Sequence, residues 1–322
     1  MELTVTGVNA LTSPHLHIWD WRVSLYLFLG GLSAGLAVMT TVLHLRKGGG
    51  LVKDEPAGYI APILVPVILG IGMLFIFLDL ERKLNVFWFY LTIQPLSPMS
   101  WGSWGLLVFF PVSGLFALAA LPDTMLHWLM LEPLKKLAVR MRDFLFPLAV
   151  VNFAMGIFIG IYTGVLLSSF VARPLWNSAI LPVLFLTSAL SVGAALMIMI
   201  ARTNKVKLWF TKMDIWLIFA EMVILPLFFY GQYTSSGAHR ESIMPFFSLS
   251  HEYFFYGSSM LLLFIVFPIA LVLKMLEIKE DHGHTLTPMA LAKMNLSAGI
   301  VLLGGLIIRL TFVYAGQLSQ LT

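Results

Sequence analysis

The sequence predicts an all-α integral membrane protein of eight transmembrane helices, and three observations carry that prediction. Hydrophobic residues make up 59% of the chain and charged ones only 11%, where soluble domains carry about 25% charged residues. Mean hydropathy is +0.90. Eight apolar runs follow one another, each long enough to cross hydrocarbon as a helix, and no strand-like alternation of apolar and polar residues competes with them.

The first run sets the pattern. His17, Trp19, Asp20, Trp21 and Arg22 precede it, and from Val23 to Leu43 there are 21 residues without a charge. As a helix that length crosses roughly 30 Å, and indole and guanidinium groups at its start suit a headgroup interface. Gly30, Gly31, Ser33, Ala34 and Gly35 give it a small-residue face, of the kind that lets helix backbones approach closely in lipid. The other runs are Gly58–Leu78, ending at Asp79; Trp101–Pro122; Phe144–Ala172; Pro174–Ala201; Ile215–Thr234, containing Glu221; Tyr253–Leu273; and Asn295–Gln317, containing Arg309.

Lys and Arg set the orientation. Fourteen of them fall in the loops after the first, third, fifth and seventh runs, against five on the other face. Positive loops stay cytoplasmic, so both termini are expected outside a prokaryotic inner (cytoplasmic) membrane. The net charge of +4 is therefore an orientation signal toward the lipid bilayer rather than a nucleic-acid footprint. The first seventeen residues lack a basic region and an apolar stretch, so they are not read as a cleavable signal and the first helix is expected to be retained.

Leu32, Ser33, Gly35, Ala37 and Met39 overlay Leu190, Ser191, Gly193, Ala195 and Met197 at a constant offset of 158, and Tyr162-Thr163-Gly164 is echoed by Tyr314-Ala315-Gly316. A parallel repeat would divide the chain into two four-helix bundles, residues 1–175 and 176–322. Chance likeness between glycine-rich membrane helices also accounts for the echoes.

Ionisable groups inside a membrane are costly and point to function. Asp79, Glu221 and Arg309 qualify and are candidates for a proton path. Asp79 and Arg309, both in the outer halves of their helices, are expected to pair, with Glu221 at another level. An ion pair that merely fixes packing would use the same residues. A second group gathers on the outer face: His15, His17, Asp20, Arg22, the loop 94–104, and His239, Arg240, Glu241, His251 and Glu252, with Tyr162 reaching it from the fourth helix. Such donors at the edge of an apolar bundle suit a molecule polar at one end and isoprenoid at the other. Interface anchoring and loop solvation are the plainer explanation.

The sequence has no cysteine, which excludes disulfides, thiolate chemistry, covalent haem and a protein-ligated iron–sulfur cluster within it. Intrahelical histidine pairs for a di-haem site are missing, and no metal-ligand, P-loop or nucleophile motif occurs. If the protein does redox chemistry, its electrons must come from elsewhere.

At these residues the sequence resembles the NrfD/polysulfide-reductase membrane-subunit family. The matching elements are YLFLGGLSAG at 26–35, FLDLERKLNVFWFYL around Asp79, SPMSWGSW at 97–104, YTGVLLSS at 162–169 with Pro174 and Trp176, LFLTSALSVGAA at 184–195, Glu221, and GGLIIRLTFVYAGQ at 304–317. The resemblance implies two four-helix bundles, no haem, and an exchangeable menaquinone or ubiquinone near the outer face. It also implies a four-cluster, ferredoxin-like iron–sulfur partner subunit and, through it, a molybdopterin or multihaem catalytic subunit. Tyr162 looks like the family's quinone-binding tyrosine, and His17 and Asp20 like its polar pair before helix 1. Quinone oxidation or reduction at its own site would then be this protein's chemistry. A secondary transporter, recognisable by helices broken at mid-membrane near Pro66 or Pro226, and a purely structural anchor are the alternatives. Reporter fusions in the four Lys/Arg-rich loops should all register the cytoplasm; one registering the outside contradicts the eight-helix reading.

Overall fold

Long helices form over all eight apolar runs: α1 (Trp21–Arg46), α2 (Ile60–Asp79), α3 (Pro98–Ala120), α4 (Leu145–Ser168), α5 (Leu181–Ile200), α6 (Asn204–Thr234), α7 (Phe254–Glu280) and α8 (Pro288–Leu318). The computed structural model describes residues 19–46, 55–80, 82–126, 131–280 and 288–319. Among these there is no strand, and all eight helices are long and apolar enough to cross a membrane.

Local chemistry sets the ends. Ser97 is extended and Pro98 opens α3, where a missing N–H costs nothing. At the other end Leu121 is extended, as the residue before Pro122 must be. The start of α6 is capped from a distance: the Glu55 carboxylate accepts the backbone N–H of Arg202 at 2.6 Å and of Thr203 at 3.0 Å. A negative group there also meets the positive end of the helix dipole.

Several boundaries differ from the apolar runs, among them the start of α5, at Leu181 rather than Pro174. α6 starts at Asn204 rather than Ile215, α7 continues past Leu273, and α8 starts at Pro288 rather than Asn295. The runs of α6 and α7 stop at charged residues, but the helices do not, because Lys207, Asp214 and Lys274 are buried within the protein. With Lys207 and Lys274 removed from the loops, the charge asymmetry is still twelve to five.

α1 and α5 form the centre. α1 lies against α2, α4, α5 and α8, and α5 against α1, α4, α6 and α8. The neighbour order of the first four helices (α1–α2, α2–α3, α3–α4, α4–α1) recurs in the last four (α5–α6, α6–α7, α7–α8, α8–α5). The two central helices meet at small residues: a Cβ at Gly35 would fall on the Ala189 carbonyl, and one at Gly193 on the Gly35 backbone. Gly35 and Gly193 are one of the pairs matched at offset 158. The remaining helices present apolar side chains outward, among them Val67, Ile71, Phe110, Phe219 and Ile265, as spanning helices must. Gly35→Val should separate α1 from α5, at about the 1–3 kcal/mol typical of overpacking, and lower the thermal unfolding temperature in detergent. Gly30→Ala, where a Cβ meets nothing within 4 Å, should leave it unchanged.

Candidate functional site

At the end of the bundle where α1 begins and α2 ends, α1, α2, α3, α4 and the short helix Val86–Leu91 enclose a cavity of about 620 Å³. Its walls are mostly apolar, with Phe77, Phe89 and Leu106 among them, and the polar groups reaching it are Tyr26, Tyr90, Tyr162 and Asp79. Leu74 and Met99 belong to the wall and are also exposed, so the cavity extends to the bundle's perimeter. A site of this size, apolar with a few convergent polar groups, is the usual form of a small-molecule pocket.

Each tyrosine is placed by its neighbours. Tyr162 is buried, with Phe158 stacked 6.3 Å away. A Cβ at Gly102 would fall on the Tyr162 hydroxyl and one at Gly105 on the Phe158 ring. The glycines of the SWGSWG stretch therefore exist to let α3 close over the two rings. Tyr26 of α1 lies within electrostatic reach of both Tyr162 and Tyr90, so three helices bring phenols to one place. Burial pushes the Tyr90 hydroxyl up from its ordinary pKa, which keeps it a protonated donor across the physiological range.

Asp79 ends α2 at the cavity wall, 21% exposed, 3.8 Å from Arg22 Nη1. Asp20 accepts the Arg22 backbone N–H at 2.8 Å and lies 3.4 Å from its Nε. Asp20 therefore precedes the first turn of α1 instead of lying within it, and its carboxyl lies beside that of Asp79. His17 and His15 lie outside the described residues. Arg240 stacks over Tyr233, and no residue of the α6–α7 connection lines the cavity, so that part of the outer cluster is not assembled with the rest.

The far wall is Trp19. Its ring stacks on Trp176 at 5.2 Å and meets Phe170 edge-on at 5.3 Å. Its backbone is clamped: Gln317 Oε1 accepts the Trp19 N–H at 2.9 Å, and Gln317 Nε2 donates to its carbonyl at 2.8 Å. Arg173 donates to the Gln317 carbonyl at 2.6 Å, and Trp176 Nε1 to the Phe312 carbonyl at 2.8 Å. The glutamine and tryptophan of the two late motifs thus act as supports for the cavity.

The expected Asp79–Arg309 pair is not formed. Arg309 is fully buried; its Nη1 donates to Ser188 Oγ at 2.5 Å and to the Gly305 carbonyl at 3.1 Å, and its Nη2 to the Phe185 carbonyl at 3.2 Å. Glu221, expected at another level, is close: Ser188 faces its carboxyl as well, and Arg309 acts on it electrostatically. The α5 serine brought the two charges together, which no counting of helix depth could reveal. Lys274 was counted as a loop cation and Asp214 was not singled out, because both border apolar runs; the spacing of Asp214 and Glu221, seven residues apart on one helix face, was the available signal.

Gln317→Leu keeps the volume and removes both side-chain bonds to Trp19, each worth about 0.5–1.5 kcal/mol. Trp19 should then become more accessible to a soluble fluorescence quencher; unchanged quenching would mean that stacking alone holds it.

Comparison with known proteins follows the same lines. The family described as "Polysulphide reductase, NrfD" matches residues 9–320. The protein is 29% identical over 317 residues to the C component of polysulfide reductase from Wolinella succinogenes, covering 93% of its own length and 94% of that relative's. It is 28% identical over 318 residues to the protein NrfD of Escherichia coli (94% and 96%), and 29% identical over 258 residues to the C component of tetrathionate reductase from Salmonella typhimurium (77% and 68%). A match over nearly its whole length makes this protein a member of the NrfD/polysulphide reductase family.

Proposed function

We propose that this protein is the membrane subunit of a respiratory oxidoreductase complex and exchanges electrons between the quinone pool and an iron–sulfur subunit docked at its outer end. Its relatives' names support the subunit role, since two of them are the C components of polysulfide and tetrathionate reductases. The observation that carries the quinone reading is the apolar cavity in which Tyr162 and Asp79 reach one space beside the perimeter. Both termini lie outside, and the two halves 1–175 and 176–322 are duplicated four-helix units, supported by their matching neighbour order.

The residues fit a quinone headgroup. Aromatic and aliphatic walls match a planar ring, and the lateral opening near Leu74 and Met99 leaves an isoprenoid tail in lipid. A bound quinone supplies two-electron, two-proton redox chemistry. Tyr162, with a phenol O–H, donates to one carbonyl oxygen. Asp79 belongs with this site: together with Asp20 and Arg22 it links the cavity to outer water, so that protons are exchanged on that side. His17 is proposed to join Asp20 as the second donor. Glu221 and Arg309, on another flank of α1, keep a proton-handling role of their own. α2 and α6 run unbroken through Pro66 and Pro226, so the broken helices that would favour a transporter are not present there.

Tyr162→Phe retains the ring and removes one hydrogen bond, worth about 0.5–1.5 kcal/mol or roughly two- to tenfold. Turnover of the assembled complex with a quinol analogue should fall by that factor, while partner activity with a soluble dye stays intact. Wild-type quinol turnover in Tyr162→Phe and in Asp79→Asn would place the site elsewhere.

A further inference from the structure

We propose that one face of α6 is a proton-uptake path that opens at the cytoplasmic end, passes through the buried Asp214–Lys274 pair and ends at Glu221 beside Arg309. This deepens the proton-handling role given above to Glu221 and Arg309 and rests on the same orientation. Neither sequence depth nor the quinone cavity requires it; it comes from how the second half of the bundle buries its charges.

Lys207, Thr211, Asp214, Ile218, Glu221, Leu225, Phe228 and Gln232 follow one another at spacings of four and three along α6, and all are buried. They form a single stripe facing the bundle interior. Four of its first five members are polar and the next two are apolar. The polar part, from Lys207 to Glu221, covers roughly 21 Å at 1.5 Å per residue. Beyond it Phe228 and Phe312 lie 5.1 Å apart and Phe185 and Phe312 6.2 Å apart, which closes the stripe before the outer end.

Every neighbouring helix contributes to the polar part. α5 supplies Ser191, whose Oγ donates to Asp214 Oδ1 at 2.8 Å, and one turn away Ser188, which touches Arg309 and faces Glu221. α7 supplies Lys274, whose Nζ is 2.5 Å from Asp214 Oδ2 with both side chains at 0% exposure. α8 supplies Arg309. At the mouth, Lys207 Nζ donates to the Ile198 carbonyl at 2.6 Å and Glu55 holds the α6 start. Asp214 also lies within electrostatic reach of Glu221. The two clusters are thus joined by serines one turn apart on a single helix.

Stability does not explain this arrangement, because well-packed apolar residues usually replace a buried ion pair at no loss. The inner end is also left incomplete. Glu221 Oε2 and Arg309 Nε are buried and have no hydrogen-bond partner, where nearly all buried polar atoms are satisfied. An unpaired carboxylate oxygen at the end of a polar stripe is suited to receive a proton. The step balances simply: hydronium at the cytoplasmic end gives its proton to Asp214, which releases Lys274; Asp214 passes the proton to Glu221 and the ion pair re-forms. One water and one neutral Glu221 carboxyl result, and Lys274 remains an ammonium throughout.

The path can sense the quinone cavity. A Cβ at Gly31 of α1 would lie 3.0 Å from Arg309 Nη2, while Val23, Tyr26 and Leu27 of the same helix line the cavity. Only α1 separates the two.

The test is infrared difference spectroscopy on the intact complex, using pH jumps and transfer to heavy water. A carboxylic C=O band should be absent from Glu221→Gln, and in Asp214→Asn it should persist while its deuterium exchange slows at least tenfold. The double variant Asp214→Leu with Lys274→Met removes both charges and so guards against a folding defect; it should assemble, retain quinol turnover and show the same slow exchange. An unaltered carboxyl band in Glu221→Gln, or wild-type exchange in an assembled double variant, overturns the proposal. Failure of the quinone site would register separately, as unchanged quinol turnover in Tyr162→Phe with the infrared result intact.

Discussion

The close approach of α1 and α5 is the constraint on which the other features depend. In lipid no hydrophobic exclusion drives helices together, so association relies on contact, and contact on small residues. Gly35 and Gly193 bring the two backbones together, and with them α4 and α8, which flank both. α1 thereby acquires two working flanks. One borders the cavity through Tyr26 and Leu27; the other leaves space at Gly31 for the Arg309 guanidinium. A bulkier side chain anywhere on that seam would move both at once.

The polar groups follow two different rules. Around the cavity in the first half they are neutral phenols, with Asp20, Asp79 and Arg22 at the more exposed rim. In the second half they are full charges with no exposure, paired across helices and bridged by serines. Desolvating single ions is prohibitive, and pairing offsets only part of that cost. The proposed proton path rests on the buried charges of the second half, and the proposed quinone site on the phenol-lined cavity of the first. The same eight-helix frame carries both.

Much of this was legible in the sequence. Apolar runs of spanning length, two of them with a single charge inside, located every long helix, because the hydrocarbon thickness leaves little choice. Tyr162 and Gly102 were both visible within motifs, although their contact was not. The helix ends at Asn204 and Glu280 were hidden, since a buried Lys or Asp reads as a loop until its partner is known. The pairing of Asp79 failed for a related reason: depth along a helix says nothing about azimuth, and Arg22, one helix away, was the nearer cation. Gln317 was read as part of a motif, but its clamp on Trp19 joins residues 298 apart in the sequence, beyond any local pattern.

The central claim is that a quinone headgroup occupies the cavity between α1, α2, α3 and α4, and the most direct measurement is photolabelling of the assembled complex with an azido-quinone followed by peptide mapping. Label on peptides containing Phe77, Tyr90 or Tyr162, suppressed by excess quinone, is the result this account predicts. Displaceable label confined to α5–α8 would contradict it.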